Sequence, residues 1–175
     1  MKDFIMDIRT PKGLKRVNLS NIGSYAELRA YIKDQFDTEN LIVDFLPSPW
    51  FEEFVDENTE DLDPLIFEFL KLSEYEQEVV FDYWELTLGK ESETLEDFKQ
   101  ELDFILNTLH LGTYEHPHYL LADIIERRLG DEAYYEVCSY INYRKAQIEY
   151  EHLYVNYGWN YFRRADLIDT DGLGK

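Results

Sequence analysis

Between Phe51 and His110 the chain carries nineteen Asp and Glu beside three lysines and no arginine. A compact fold of such a segment pays self-repulsion, so some use of the field must offset it, and a basic partner is the simplest one. The surplus extends to the whole protein, where 37 acids face 17 Lys and Arg for a formal charge of -20. The competing reading is acid-rich surface chemistry with no specific target, as in salt-adapted proteins. Disorder needs few aromatics and low hydrophobicity. Here Tyr, Phe and Trp reach 16% and apolar types 45%, enough for a core in 175 residues.

The single Cys138 excludes an internal disulfide. No apolar run approaches the ~20 residues of a membrane span or a secretory core, so a cytoplasmic address is expected. A pI near 4.4 argues against direct nucleic-acid binding, because phosphates repel this composition.

Start and stop signals predict an α+β chain of three small modules in series. In residues 1–50, Phe4, Ile5 and Ile8 precede the Pro11-Lys12-Gly13 break and Val17, which reads as a hairpin. Ser24 and Glu27 form a capping-box pattern before Tyr25, Leu28, Ile32 and Phe36, and 41–46 reads as a third strand. Residues 51–110 switch to helices near 62–72, 74–88 and 95–109. Ser73 with Glu76 and Thr94 with Asp97 repeat the capping form. The expected buried stripes are Leu65, Phe69 and Leu72; Val79, Tyr83 and Leu86; and Phe98, Leu102, Ile105 and Leu109. Residues 111–170 hold a helix from Pro117 to the Gly130 stop and a longer one from Asp131 to about Tyr150. Two strands follow around Tyr157-Gly158.

Two acidic clusters carry the functional argument. Glu52, Glu53, Asp56, Glu57, Glu60, Asp61 and Asp63 include two ladders at i,i+4 spacing, which destabilise a helix by a few tenths of a kcal/mol per pair. A loop would carry them at less cost. Glu91, Glu93, Glu96, Asp97, Glu101 and Asp103 place about one carboxylate per 3.3 Å of helix axis, close to the ~3.4 Å phosphate spacing of one DNA strand. A solvated face explains either cluster alone, but ordinary exposed helices interleave lysine.

Other chemistries find weaker patterns. The run from Asp56 begins like a calcium loop, yet Asp61 stands where the sharp turn requires Gly. His110, His116 and His118 lack zinc-site spacing, no phosphate-binding glycine loop is present, and Cys138 reads as a small buried hydrophobe. The expectation is a non-enzyme without cofactor or metal. The tyrosines of 134–161 read as core and interface, with Tyr140, Tyr143, Tyr154 and Trp159 as candidates for contact with a second copy.

The order of these features resembles the ArdA antirestriction proteins, acidic DNA mimics of conjugative elements and phages. The resemblance rests on Asp44-Phe45 before a Pro-containing break, the Ser73 to Glu76 helix start, Thr94 to Phe98, and Tyr140-Ile141-Asn142-Tyr143 followed by a hairpin with Gly158. The first 40 residues depart, being shorter and lacking the family's Gly-Trp strand. The resemblance implies an elongated chain of three small domains and a homodimer through the C-terminal parts. It further implies occupation of the DNA groove of a type I restriction-modification enzyme. A CRISPR effector, whose guide-duplex channel is also basic, is an alternative target. A generic acidic chaperone or metal-binding protein is the alternative class.

Overall fold

The computed structural model describes residues 4–37, 42–45, 49–55, 61–87 and 89–167. Among them the fold is α+β, with seven α-helices and two three-stranded sheets. No helix among the described residues is long and apolar enough to cross a membrane. Two compact units emerge. The first comprises Met1–Glu78 and Gly89–Lys99, the second Val79–Leu88 and Gln100–Lys175. The module boundaries expected near residues 50 and 110 fall inside these units, whose own borders cut two helices.

In the first unit, β1 (Ile5–Thr10) and β2 (Gly13–Asn18) form the expected hairpin, and β3 (Ile42–Phe45) pairs with β1 to give the order β2-β1-β3. Met6, Ile8 and Val17 are buried, as are Leu28 and Ile32 of α1 (Tyr25–Phe36). Ser24 Oγ accepts from Glu27 N, and Glu27 returns a carboxylate oxygen to Gly23 N–H, so the cap closes one residue earlier than a standard box.

The helix expected over 62–72 is much shorter. Asp63 Oδ1 accepts from Leu65 N–H at 2.8 Å and fixes a turn, leaving α2 only Ile66–Phe69. At Ser73 the full capping box forms: Ser73 Oγ accepts from Glu76 N, and Glu76 accepts from Ser73 N. It opens α3 (Glu74–Thr87). Gln77 donates to the Phe69 and Leu72 carbonyls and ties α3 to the turn before it.

The buried stripe of α3 differs from the expected one. Val79, Val80 and Trp84 are buried, whereas Tyr83 and Leu86 are only half-buried. The larger indole of Trp84, with Val80 one turn earlier, sets the inward face. Its Nε1 donates to Glu101 Oε1 at 2.7 Å in the second unit.

For α4 the stripe is as expected, with Phe98, Leu102, Ile105 and Leu109 all buried, but the α-helix covers only Leu95–Asp103. Phe104–Leu109 continues as a π-helical turn. The next four residues, expected as nothing regular, form β4 (His110–Thr113) at one edge of the second sheet, ordered β4-β6-β5. Four residues with a central Gly112 and a register shift leave no alternation to read.

α5 (Pro117–Leu129) ends at Gly130, whose φ of +79° suits a residue without Cβ. The single helix expected to Tyr150 is broken into α6 (Asp131–Val137), a 3₁₀ turn at Cys138–Tyr140, and α7 (Tyr143–Tyr150). Asn142 causes the break, because its Oδ1 accepts from Lys145 N–H and caps a new helix. β5 (Tyr154–Tyr157) and β6 (Asn160–Arg163) form the terminal hairpin as read. Leu120, Tyr154 and Tyr161 make a small core flanked by Leu111, Tyr114 and Ile124. Cys138 is half-buried rather than buried.

Candidate acidic interaction surface

The 52–63 cluster does not lie on one helix. Pro49–Phe54 is a 3₁₀ segment, and an antiparallel bridge pairs Val55 with Leu62, so the chain ends of the two acidic stretches meet there. Asp63 N–H donates to the Phe54 carbonyl at 2.7 Å and closes this arch. Asp56, Glu57 and Glu60 lie outside the described residues. With them, every rung of the i,i+4 ladders lies outside the described residues.

Lys90 brings the second cluster to the first. Its Nζ is 3.0 Å from Asp63 Oδ2 and donates to the Ser92 carbonyl at 2.6 Å, while its backbone N–H donates to Glu53 Oε2 at 2.9 Å. Only 10% of the Lys90 side chain is exposed. Beside this ion pair, Phe54 packs on Phe98 edge-to-face at 6.0 Å and on Phe69 at 5.3 Å, and the Lys90 ammonium lies 5.9 Å from the Phe98 ring centroid. Aromatic pairs of this kind add about 0.5–1.5 kcal/mol each beyond burial. Residues 52–55, 61–63 and 90–98 thus share one ion pair and one aromatic core.

The sequence-predicted acids fall into two groups, one held by the bonds named below and one of exposed side chains. Glu53, Asp63 and Asp61 are half-buried and bonded within the chain. Asp61 Oδ1 accepts from Leu62 N–H at 2.8 Å and from the Tyr25 hydroxyl at 3.1 Å. Burial, then the Asp61 charge, pushes the Tyr25 phenol up. Glu101 receives Trp84, and Asp103 receives the Asn107 amide at 2.8 Å. Glu52, Glu91, Glu93, Glu96 and Asp97 are exposed, Asp97 also accepting from Thr94 Oγ1 at the start of α4. A carboxylate already holding one donor keeps its charge and most of its lone pairs, so the first group still contributes to the field.

Sequence reasoning missed Lys90, which it counted as one of three scattered lysines. A Gly-Lys pair just after a helix stop and before an acidic run was the available signal. It also missed Glu68, whose carboxylate pairs with Lys71 and lies 4.0 Å from Lys99.

The candidate self-association residues also divide. Tyr140 is 86% exposed and Trp159 65%, while Tyr143 is half-buried with its hydroxyl 2.9 Å from that of Tyr134. That bond is the first cause, before burial, pushing the Tyr134 phenol up to about 12. Tyr154 is only 9% exposed and packs against Tyr161 and Leu120, so it serves the chain's own core. α6 and α7 bury no residue, and Tyr135 and Ile148 stand exposed on them.

A polar network lies in the second unit. Asn160, 2% exposed, donates to Asp82 Oδ2 at 2.7 Å and accepts from Thr113 Oγ1, with His110 Nε2 3.1 Å from the same amide oxygen. These bonds pin β4 to β6 and α3. Among the described residues no group of three or more His, Cys, Asp or Glu is placed to hold a metal ion. Compared with known proteins, the chain matches no family model, no curated protein and no solved structure.

Proposed function

We propose that the chain is a non-enzymatic inhibitor whose carboxylates stand in for DNA phosphates and occupy the basic cleft of a DNA-handling defence enzyme. The observation that supports this most is the Lys90 bridge, which holds two acidic stretches distant in sequence against one another. A merely solvated acidic face needs no such closure, since like charges lower their energy by spreading apart. One internal cation offsets repulsion where the stretches meet and leaves Glu52, Glu91, Glu93, Glu96 and Asp97 exposed around it.

The target in this reading is the methyltransferase core of a type I restriction-modification enzyme, and the inhibitor acts as a homodimer through the surface around Tyr140 and Trp159. Association is steered by charge, fast at low salt and weaker as the Debye length shrinks to about 8 Å near 0.15 M. The test is displacement of duplex DNA from that core across a salt series. Full inhibition by a variant carrying Gln or Asn at Glu52, Glu91, Glu93, Glu96 and Asp97 would sink the proposal. Displacement from a CRISPR effector alone would move it to that target.

A further inference from the structure

A buried amide in the first unit is only half used. Gln77 is 3% exposed, and its Nε2 donates to the Leu72 carbonyl at 3.1 Å and to the Phe69 carbonyl at 3.4 Å. These two acceptors fix the amide's orientation, since a flip would set Oε1 against both carbonyl oxygens. Oε1 therefore faces the other way, where no described donor reaches it and where it is not sealed from open space. An acceptor sunk this deep without a donor is costly, and folds leave few of them.

Gln77 lines a groove of about 500 Å³, inside the ~300–1,000 Å³ range of small-molecule sites. The groove lies between the turn that enters α1 and the turn between α2 and α3, all within the first unit. Its apolar lining joins buried Leu19 and Phe67 to half-buried Phe4, Ile22, Leu70 and Leu72. Other polar side chains around it are engaged: Ser20 Oγ accepts from Phe4 N–H, Ser73 holds Glu76, and Lys71 pairs with Glu68. Apolar walls with one convergent acceptor are the usual makings of a ligand site.

We propose that this groove binds a small neutral apolar molecule carrying one N–H or O–H donor, which Gln77 Oε1 accepts. A ligand without the donor would seal Oε1 from water and leave it unpaired. Water alone satisfies the oxygen but leaves the apolar walls wet. An anion meets exposed Glu74 at the groove and a chain of charge -20. A cation gains from that field, yet it must bury its charge against one neutral oxygen among apolar side chains. The site goes beyond the DNA-mimic reading, and none of the exposed acids invoked there lines it.

The test titrates the full chain with indole and with benzofuran, which has the same shape and an ether oxygen in place of the N–H. Indole should saturably shift the Gln77 side-chain amide and the backbone amides of Ser20 and Leu72 in nitrogen–proton spectra. Benzofuran should bind about tenfold more weakly. Gln77→Met keeps the side chain's length and removes the acceptor, so it should abolish the preference for indole. No saturable shift at these residues overturns the proposal, as does benzofuran binding as tightly as indole or a preference that survives Gln77→Met. If that variant does not fold, Ile22→Trp fills the groove and leaves Gln77 in place. It should abolish the shifts, and undiminished indole binding would overturn the proposal.

Discussion

The Lys90 ammonium stands 3.0 Å from Asp63 Oδ2, with the Asp63 side chain 28% exposed and that of Lys90 10%. Replacing Lys90 with Met keeps the stem that packs near Phe98 and removes the charge. Breaking a buried pair costs about 3–5 kcal/mol, and the exposure of Asp63 reduces this to roughly 1–3 kcal/mol. Lys90→Met makes the protein more acidic, so net charge alone predicts stronger inhibition. The proposed geometry predicts lower stability and weaker DNA displacement. Urea unfolding alongside the competition assay separates the two.

Gly89 precedes this lysine at φ +107°, and a Cβ there would stand 2.5 Å from Glu53 Oε2. Gly89→Ala should therefore destabilise by about 1–3 kcal/mol through backbone strain and displacement of that carboxylate. Adding Glu53→Ala removes the clash but not the strain. The double mutant should recover part of the loss in a thermodynamic cycle, and a purely additive result would show that the carboxylate is not crowded.

Phe54 is 1% exposed between Phe69 and Phe98. Phe54→Ala should cost about 3–5 kcal/mol, whereas Phe54→Leu should cost far less. Because Glu53 adjoins it, the alanine variant should also lose inhibition near its unfolding midpoint.

The Ser73 hydroxyl and backbone N–H hold the Glu76 carboxylate below its usual range. With a folded pKa depressed beneath the unfolded value, this stabilisation is present above the unfolded pKa of about 4.3 and is lost as pH falls through the folded one. Ser73→Ala should cost about 1 kcal/mol at neutral pH and less in acid.

Burial pushes His110 down, partly offset by its bonds to Asn160 and Gly112. The unfolded chain then binds the proton more readily, so stability falls as pH drops from about 6.5 toward the lower folded pKa and is constant above. Unfolding followed from pH 7.5 to 5 should show this slope, and His110→Gln should flatten it.

Helix starts were legible because a cap needs only four adjacent residues: Ser73, Thr94 and Ser24 each accept from the amide three positions on. The hairpins were legible for the same reason, since a turn and its flanking strands are contiguous. The unbroken helix over 131–150 was misread because Asn142 stands within an otherwise helical pattern, and only its φ, ψ and the bond from Lys145 N–H show that it caps a new helix. β4 escaped because His110–Thr113 becomes a strand by pairing with β6, some fifty residues away.

Sequence by itself determined the charge surplus, the α+β class and the stripe from Phe98 to Leu109, all properties of local order and composition. Tertiary structure alone decided which carboxylates are bonded within the chain, that Glu53 and Asp63 meet Lys90, and that β2 is left at an edge. Those outcomes depend on chain closure, which brings distant groups within the few ångströms over which ion pairs and hydrogen bonds act.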